Sequence, residues 1–465
     1  MTPTALWADW AWVDGRWQAS VLLEIDALGY WRGVSAGVAP PATARRLGGP
    51  VLPGLVNGHS HAFQRAFTGL TERRESASDD FWSWRERMYS VALRITPQQM
   101  QAVAAQLYIE LLRGGYTQVC EFHYLHHAPD GQHYADPTTM CGALTDAAIE
   151  AGIGLTVLPV LYERAGFTQA TPHADQRRFI ATPAQVHRLM RGVPCGARVN
   201  AGLAIHSLRA VSAASIDTLL RLVDGAAVPI HIHVAEQMRE VEDCLAATGA
   251  RPIEWLCRHL APDARWQLVH ATHATPAEID AVAQSGAGIV LCPATEANLG
   301  DGIPDLPAWF AAGVPLAIGS DSQVTRNWPE ELRWLEYAQR LTRRQRNVAA
   351  TQQQPATAQR LFEAVLAGGS RCAGQVQWGL SAGARADALV LDASAPALLG
   401  IAPAERLDAL VFGGGEPALA EVLVAGETVL RNGRHAQEDA IAARFLQAMD
   451  ALWSAVPSGD AVARL

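Results

Sequence analysis

Short apolar segments recur along the chain, and most are followed by a stretch with helical periodicity. Eight such segments, rich in β-branched residues, fall in order at residues 50–56, 117–124, 152–161, 197–206, 229–235, 266–272, 287–294 and 315–321. Apolar residues spaced three and four apart predict helices between them, most clearly over 98–113, 138–151, 275–285 and 329–345. Strands that are apolar throughout and alternate with helices are typical of a parallel sheet that is covered on both faces.

This alternation predicts the fold class and the domain organisation. Eight strand–helix units match an α/β fold of the (β/α)8 TIM-barrel type, which we expect over residues 50–379. An open doubly wound sheet is the alternative, but the chain has no G-x-G-x-x-G turn to favour it. Residues 1–49 and 380–435 instead show short strands separated by Gly-rich turns, so we expect one small β-sandwich domain built from both chain ends. Residues 436–465 are expected to form a C-terminal helical segment.

Composition and charge narrow the class of protein. The 465 residues are 49% hydrophobic and 18% charged, which is typical of a globular enzyme. The net charge of −9 argues against nucleic acid as a partner, and no apolar run approaches the length of a membrane span. The seven cysteines include no C-x-x-C pair, and the N-terminus does not resemble a signal peptide. We therefore expect a cytoplasmic protein with reduced thiols.

The chain contains no lysine, so all 37 basic side chains are arginines. A Walker-type phosphate loop and Schiff-base catalysis both require a lysine and are therefore excluded. The same absence excludes a carboxylated lysine that bridges two metal ions.

Candidate catalytic side chains gather where the predicted strands end. His59 and His61 share one face of the first strand, since side chains alternate along a strand, and two such imidazoles can share a metal ion. A lone H-x-H pair is more often two ordinary histidines. Here, however, further polar groups follow three other strands, at the end of a barrel where active sites are built: His231, His233, Glu236, His270 and Asp321. The combination predicts a metal site, and the two-residue period leaves open whether His231 or His233 belongs to it.

Several motifs carry a resemblance to a known family. The H-x-H pair, "HVAEQ" from His233, His270 and "SDS" around Asp321 resemble the aminohydrolase (deaminase) branch of the amidohydrolase superfamily. More narrowly, "GHSHAFQRAF", "FWSWRERMY", "EFHYLHH", "HSLRAV" and "EELRWLEYAQRL" resemble the formimidoylglutamate deiminases of histidine degradation. The resemblance covers nearly the whole chain and agrees with a barrel that carries a split β-sandwich.

The resemblance implies a mononuclear metal site and a hydrolytic reaction. Its ligands would be His59, His61, His233 and Asp321. They would bind one divalent ion per chain, for which Zn²⁺ is the first choice and Fe²⁺ the second. His233 is chosen over His231 because it lies nearer the strand end and begins the H-x-x-E motif. Glu236 would transfer protons, His270 would stabilise the developing tetrahedral centre, and Asp321 would orient the water. N-formimino-L-glutamate would be converted to N-formyl-L-glutamate and ammonia.

Substrate recognition is assigned to other loops. Mapped onto the family, the residues that hold the glutamate portion are Gln64, Arg85, Tyr124, His206 and Arg209. Arginine suits this role because its planar fork binds a carboxylate through two hydrogen bonds. Residues 62–96 are expected to form a long binding loop or lid. The resemblance also implies a homodimer.

Two other functions remain as alternatives, and two further groups of residues have no assigned role in the site. A related aminohydrolase that acts on a purine or pyrimidine ring is the alternative activity, and a binding protein without catalysis is a distant third, because such proteins typically lack the ligands. His126 and His127 are expected to be solvent-exposed loop histidines. Arg73 and Arg74, beside Glu72 and Glu75, are expected to form a solvated charge cluster.

Overall fold

The structure is a computed structural model that describes residues 4–72 and 81–454. Its strands, numbered in chain order, are β1 Thr4–Val13, β2 Arg16–Ile25, β3 Trp31–Ser35, β4 Arg45–Arg46, β5 Val51–Pro53, β6 Leu55–Ser60, β7 Tyr116–His123, β8 Gly154–Leu161, β9 Val199–Ala201, β10 Leu203–Ile205, β11 Ile230–Val234, β12 Trp266–His270, β13 Gly288–Leu291, β14 Leu316–Ile318, β15 Ala388–Leu391, β16 Leu419–Val424, β17 Glu427–Arg431 and β18 Arg434–His435. These strands form two sheets.

The helices are numbered in chain order in the same way. They are α1 Phe81–Ala92, α2 Pro97–Arg113, α3 Thr139–Ala151, α4 Pro183–Gly192, α5 Ala213–Leu222, α6 Met238–Thr248, α7 Pro252–Leu260, α8 Pro276–Ser285, α9 Pro293–Leu299, α10 Leu306–Ala311, α11 Trp328–Arg343, α12 Thr357–Cys372, α13 Arg406–Gly413 and α14 Glu438–Ser454. Three 3-10 helices are Ala62–Ala66, Ala174–Gln176 and Pro403–Glu405. Within the described ranges, no helix combines the length and apolar character that a membrane crossing requires.

The predicted barrel is confirmed. Its strands run in the order β6-β7-β8-β10-β11-β12-β13-β14, all in parallel, and β9 also pairs with β8. The amide of Asp321 donates to His59 O (3.0 Å) and that of His61 donates to Asp321 O (3.2 Å), so the last strand returns to the first. This closure brings the segments after β6 and β14 side by side, at the carboxyl end of the barrel.

Two of the eight predicted strands are interrupted. Residues 50–56 do not form one strand, because Val51–Pro53 pairs with β1 and β15 while the barrel strand begins at Leu55. Gly54 separates the two pieces, and a Cβ there would lie 2.2 Å from Thr117 Oγ1, so no larger residue fits at this crossing. The fourth predicted strand is also divided, at Gly202 between β9 and β10, but both of its parts pair with β8 in the barrel sheet.

Both chain ends build the second sheet, as predicted. Its strands run in the order β18-β17-β16-β15-β5-β1-β2-β3, with β4 on β1, so residues from the two ends meet where β5 lies between β1 and β15. Apolar side chains from both ends form its buried face, among them Leu6, Val21, Leu23, Val390 and Leu423. The barrel is therefore attached to a sheet that neither terminus forms alone.

The four predicted helices are present, and their starts follow from capping chemistry. Thr96 accepts a hydrogen bond from the Gln99 amide while the Gln99 side chain binds the Thr96 amide, and Pro97 occupies the first helical position of α2. The helix α8 begins with the same capping box, here formed by Thr275 and Glu278. Such local signals make these helix starts predictable.

The expectation of an unbroken loop over residues 62–96 is wrong. The segment contains the 3-10 helix Ala62–Ala66 and the helix α1, which carries Trp84 and Arg85. Trp84 packs edge-on against Phe67, with ring centroids 5.7 Å apart. Trp84 thus belongs to a helix that packs against the segment after β6. The proposed charge cluster at Arg73 and Arg74 lies outside the described residues.

Candidate active site

The predicted site residues meet at the carboxyl end of the barrel. His59 and His61 lie at and just after the end of β6, His233 is near the end of β11, His270 ends β12, and Asp321 follows β14. His270 (φ 70°) and Asp321 (φ 44°) both adopt the left-handed backbone region, which costs a non-glycine residue about 1–3 kcal/mol. Such strain persists only where the surrounding structure enforces it, and here it occurs at two of the predicted catalytic positions.

Side chains of His61, His233 and Asp321 lie around the Nε2 atom of His59. His59 Nε2 lies 3.2 Å from His61 Nε2 and 3.0 Å from His233 Nε2. Asp321 Oδ1 lies 3.4 Å from the Nε2 atoms of both His59 and His61. All four side chains are buried. A tetrahedral zinc ion bound at 2.0–2.1 Å places its ligand atoms roughly 3.3 Å apart, so this spacing suits a tetrahedral ion.

The hydrogen bonds around these rings test whether the group fits a metal. His61 Nδ1 donates to Phe122 O at 2.9 Å, which leaves the lone pair of Nε2 directed at the cluster. Burial lowers the pKa of His59 to about 3 and lowers that of His61, so these two imidazoles are neutral. A single proton cannot satisfy His61, His233 and Asp321 around His59 Nε2, whereas a cation can. The donor set fits a divalent ion.

His231 lies on the same strand as His233 but reaches a different part of the barrel. Its Nε2 donates to Cys372 O (3.0 Å) at the end of α12, and its side chain is fully buried. Both histidines project from the same face of β11, as the two-residue period requires, but two residues apart along the strand. Only His233 reaches the His59 ring.

Glu236 and His270 lie beside the cluster on the side that faces the cavity. His270 Nε2 is 3.7 Å from Glu236 Oε1 and 3.8 Å from Asp321 Oδ2, while its Nδ1 is 3.4 Å from Glu296 Oε1. Burial raises the pKa of Glu236 to about 7, despite the opposing charge of His270. Burial lowers the pKa of His270, but the carboxylates of Glu236, Glu296 and Asp321 outweigh it and raise that pKa to about 10. Glu236 therefore titrates near neutrality, as a proton-transfer group should.

Every predicted substrate-binding residue lines one cavity together with His61, His233, Glu236, His270 and Asp321. These residues are Gln64, Arg85, Tyr124, His206 and Arg209. Gln64 Nε2 lies 3.4 Å from Tyr124 OH, and the Tyr124 ring packs edge-on against those of His61 and His206. The expected residues are thus adjacent to one another, although they come from four different segments.

Two arginines line the cavity and bring positive charge to it. Burial together with the charges of Arg209 and Arg85 holds the pKa of His206 well below its ordinary value, so both guanidinium groups are near this ring. Arg85 Nε and Nη2 donate to Tyr89 OH at 3.2 and 2.8 Å. The cavity is therefore lined by the two guanidinium groups of Arg85 and Arg209 as well as by the acidic side chains of Glu236 and Asp321.

Several residues that support the site were not predicted. Glu240 accepts hydrogen bonds from the amides of Ala235 and Glu236 and so holds the H-x-x-E turn. Glu296, which contacts His270, lies on α9 in a stretch that has no recognisable motif. No sequence signal identified either residue, since each acts only through its neighbours in space.

The expectation for His126 and His127 is wrong. Both side chains are buried, and their Nε2 atoms donate to Val160 O (2.8 Å) and Ile180 O (2.7 Å), respectively. Their hydrogen bonds connect the segment that follows Tyr124 to β8 and to the segment around Ile180, so neither side chain faces solvent.

The chain belongs to the amidohydrolase family, whose family model matches residues 51–429. Among curated proteins, the formimidoylglutamate deiminase of Pseudomonas aeruginosa is 47% identical over 455 residues, which are 97% of this chain and 99% of that protein.

Solved structures agree with this membership. The crystal structure of an amidohydrolase from Brucella melitensis superposes with a TM-score of 0.91 at 41% identity and covers 97% of this chain and 99% of its own. An adenosine deaminase from Xanthomonas campestris, solved with bound zinc, gives a TM-score of 0.79 at 22% identity over 97% of this chain and 98% of its own. The second likeness establishes the shared fold alone.

Proposed function

We propose that this protein is a formimidoylglutamate deiminase, which hydrolyses N-formimino-L-glutamate to N-formyl-L-glutamate and ammonia. The observation that carries the proposal is the 47% identity to such an enzyme over 97% of the chain, combined with a cavity that holds both a metal-type cluster and two arginines. The proposed pathway is histidine degradation. The proposed location is the cytoplasm, where the seven unpaired cysteines would remain reduced.

The charges of the cavity suit a substrate with two carboxylates. Formimino-glutamate carries two carboxylates at neutral pH, and the protein has a net charge of −9, so local positive charge is needed to hold it. Arg85 and Arg209 provide that charge within the cavity, near His206. Gln64, Tyr124 and His206 complete the proposed contacts with the glutamate portion. A flat, neutral nucleobase would gain little from the two guanidinium groups.

The proposed metal site consists of His59, His61, His233 and Asp321, with one ion per chain. Zinc suits three imidazole nitrogens and one carboxylate in a tetrahedral set, and Fe²⁺ is the second choice. When bound, the ion supplies Lewis-acid activation of water near neutral pH.

The side chains of the protein perform the remaining steps. Glu236 accepts a proton from the attacking water and delivers it to the formimino nitrogen as the new C–O bond forms. It then transfers the hydroxyl proton of the tetrahedral centre to the same nitrogen, so that the C–N bond breaks, ammonia leaves and the C=O bond of the formyl group forms. His270, cationic beside Glu236 and Asp321, stabilises negative charge that develops as water adds to the formimino carbon. Asp321, whose pKa is held below its ordinary value by the His59 hydrogen bond and the neighbouring imidazoles despite burial, stays ionised and orients the water.

An ammonia-release assay tests the proposed activity. The purified protein is incubated with N-formimino-L-glutamate, guanine, cytosine, adenosine and N-carbamoyl amino acids, each in the presence of Zn²⁺ or Fe²⁺. We expect rapid release from formimino-glutamate alone, with N-formyl-L-glutamate as the second product. Efficient turnover of a purine or pyrimidine, without activity on formimino-glutamate, would contradict the proposal and favour a ring deaminase.

We further propose a homodimer that uses an apolar stripe on α11. Trp334 and Leu341 are exposed on this helix together with Tyr337, and Ile303 lies near them in the same surface groove. Removal of such a patch from water favours association. Light scattering after size exclusion should give twice the chain mass for the native protein, and Trp334→Glu with Leu341→Glu should shift it to one chain mass.

A further inference from the structure

A buried glutamate holds the loop that connects the first two histidines of the site. Glu121 lies on β7 and is 2% exposed. Its Oε2 accepts a hydrogen bond from Ser60 Oγ at 2.9 Å, and its Oε1 accepts one from the amide of Ala62. Ser60 and Ala62 are the residues on either side of His61. One carboxylate therefore fixes the chain both before and after a proposed metal ligand.

The hydroxyl of Ser60 extends this contact to the opposite side of the site. Gln323 Nε2 donates to Ser60 Oγ at 3.1 Å and to Asp321 O at 2.7 Å. The chain Glu121–Ser60–Gln323 thus runs from β7 to the backbone of Asp321. It links the segment after β6 to the segment after β14, where the barrel closes.

The burial of Glu121 costs the protein stability. Within the described part of the chain, its polar contacts are hydrogen-bond donors, including Tyr108 OH at 3.5 Å, and no arginine lies within ion-pair distance. A carboxyl group buried without a cation costs stability, because the charged form loses its hydration. An apolar residue would fill the same position at lower cost. The hydrogen bonds of Glu121 to Ser60 and Ala62 are what offset this cost, and they order the chain on both sides of His61.

We infer that Glu121 is a positioning residue for the metal site, which it serves by holding Ser60 and Ala62 so that His59 and His61 converge with Asp321. The inference rests on the proposed function in assuming that these side chains bind a metal. Residues that orient metal ligands typically contribute 10- to 100-fold in metal affinity. We expect Glu121→Ala to lose metal faster by about that factor, since His61 is then no longer fixed from both sides.

A second buried glutamate provides a matched control. Glu336 on α11 is fully buried and accepts hydrogen bonds from the amides of Val348 (2.8 Å) and Ala349 (2.9 Å). It differs from Glu121 in two respects: it pairs with Arg340 Nε at 2.7 Å, and it lies on an outer helix, where it hydrogen-bonds to none of the proposed ligands. Glu336→Ala should therefore destabilise the fold without changing the rate of metal loss from the folded protein.

The test measures metal release from the zinc-loaded full-length protein to a chromogenic chelator, with Co²⁺-substituted samples recorded by absorption spectroscopy. Glu121→Ala should release zinc about 10- to 100-fold faster than wild type and alter the cobalt spectrum, while Glu336→Ala should match wild type in both. Glu121→Gln should be intermediate, because its carbonyl oxygen still accepts from Ala62. Ser60→Ala provides a second measurement if Glu121→Ala does not fold.

The outcomes separate this inference from the proposal on which it rests. Wild-type release rates and spectra in both Glu121→Ala and Ser60→Ala would overturn the positioning role while leaving the metal site intact. Equal acceleration in Glu336→Ala would also overturn it, since general destabilisation would then be the cause. A wild-type protein that retains no metal would overturn the metal site itself, and the positioning role with it.

Discussion

Arg209 is the residue at which the proposed substrate can be tested most sharply. It follows β10 and lines the cavity. Burial raises the pKa of Glu236, Glu240 and Tyr162, and the positive charge of Arg209 opposes that rise at all three. Replacement by methionine keeps much of the length of the side chain but removes the guanidinium group. Since the metal cluster and Arg85 are untouched, the fold and metal content should not change.

The size of the effect follows from the chemistry of the lost contact. A hydrogen bond to a charged group contributes about 1.5–3 kcal/mol, which corresponds to roughly 10- to 150-fold in an equilibrium constant. We expect Arg209→Met to raise KM for formimino-glutamate by that factor. Arg209→Lys should recover only part of the loss, because an ammonium group lacks the planar fork that binds a carboxylate through two bonds.

A second effect distinguishes the loss of charge from the loss of shape. Burial is the main reason that the pKa of Glu236 is raised, and the positive charge of Arg209 opposes it. Glu236 must be ionised to accept a proton, so kcat/KM should fall as the pH falls through its pKa. Without Arg209 that pKa rises, and the acid limb of the profile should move to higher pH in Arg209→Met and return toward wild type in Arg209→Lys.

The assay is steady-state ammonia release from formimino-L-glutamate and from its two mono-amides, in which one carboxylate is replaced by a neutral amide. Arg209→Met should lose binding on the parent and on one amide, but little on the amide that lacks the carboxylate bound by Arg209. Arg188→Met, an exposed arginine on α4 that does not line this cavity, serves as the control. Equal KM values for wild type and Arg209→Met on the parent substrate would refute the reasoning.

Three further predictions concern the metal and the proton transfer. Elemental analysis of metal-replete protein should find about one divalent ion per chain, and two stoichiometric ions would contradict the four-ligand site. His233→Ala should lose most of the metal whereas His231→Ala should retain it, because His231 donates to Cys372 O instead; the reverse result in metal analysis would exchange their roles. Glu236→Gln should keep its metal and lose at least about 100-fold in kcat, and a variant with more than a tenth of wild-type kcat would disprove the proton-transfer role.

Local patterns in the sequence were sufficient for the barrel. The eight apolar segments and the capping boxes at Thr96 and Thr275 depend on neighbours within a few residues, so their structural consequences can be predicted from the sequence. The same is true of the histidines at strand ends, since carboxyl ends of parallel strands must meet at one end of a barrel.

Local patterns were insufficient wherever a position depends on distant segments. The first predicted strand breaks at Gly54 because its two parts pair in different sheets, and the helix α1 lies within residues 62–96, for which the sequence predicts a loop. The sequence predicts His126 and His127 at the surface, but both are buried. The carbonyl groups that accept their hydrogen bonds belong to residues 34 and 53 positions further along the chain, respectively.

The sequence by itself determined the barrel, the participation of both chain ends in the second sheet, and the set of side chains available at the strand ends. Only the tertiary structure decided which of these side chains meet. His231 and His233 are equivalent by the period of the strand, and the arrangement of neighbouring elements places one against Cys372 and the other against His59. Glu121 on β7 accepts hydrogen bonds from Ser60 and Ala62, the neighbours of His61, and no spacing along the chain encodes those contacts. The physical reason is that periodicity specifies the face on which a side chain lies, whereas closure of the barrel specifies its neighbours.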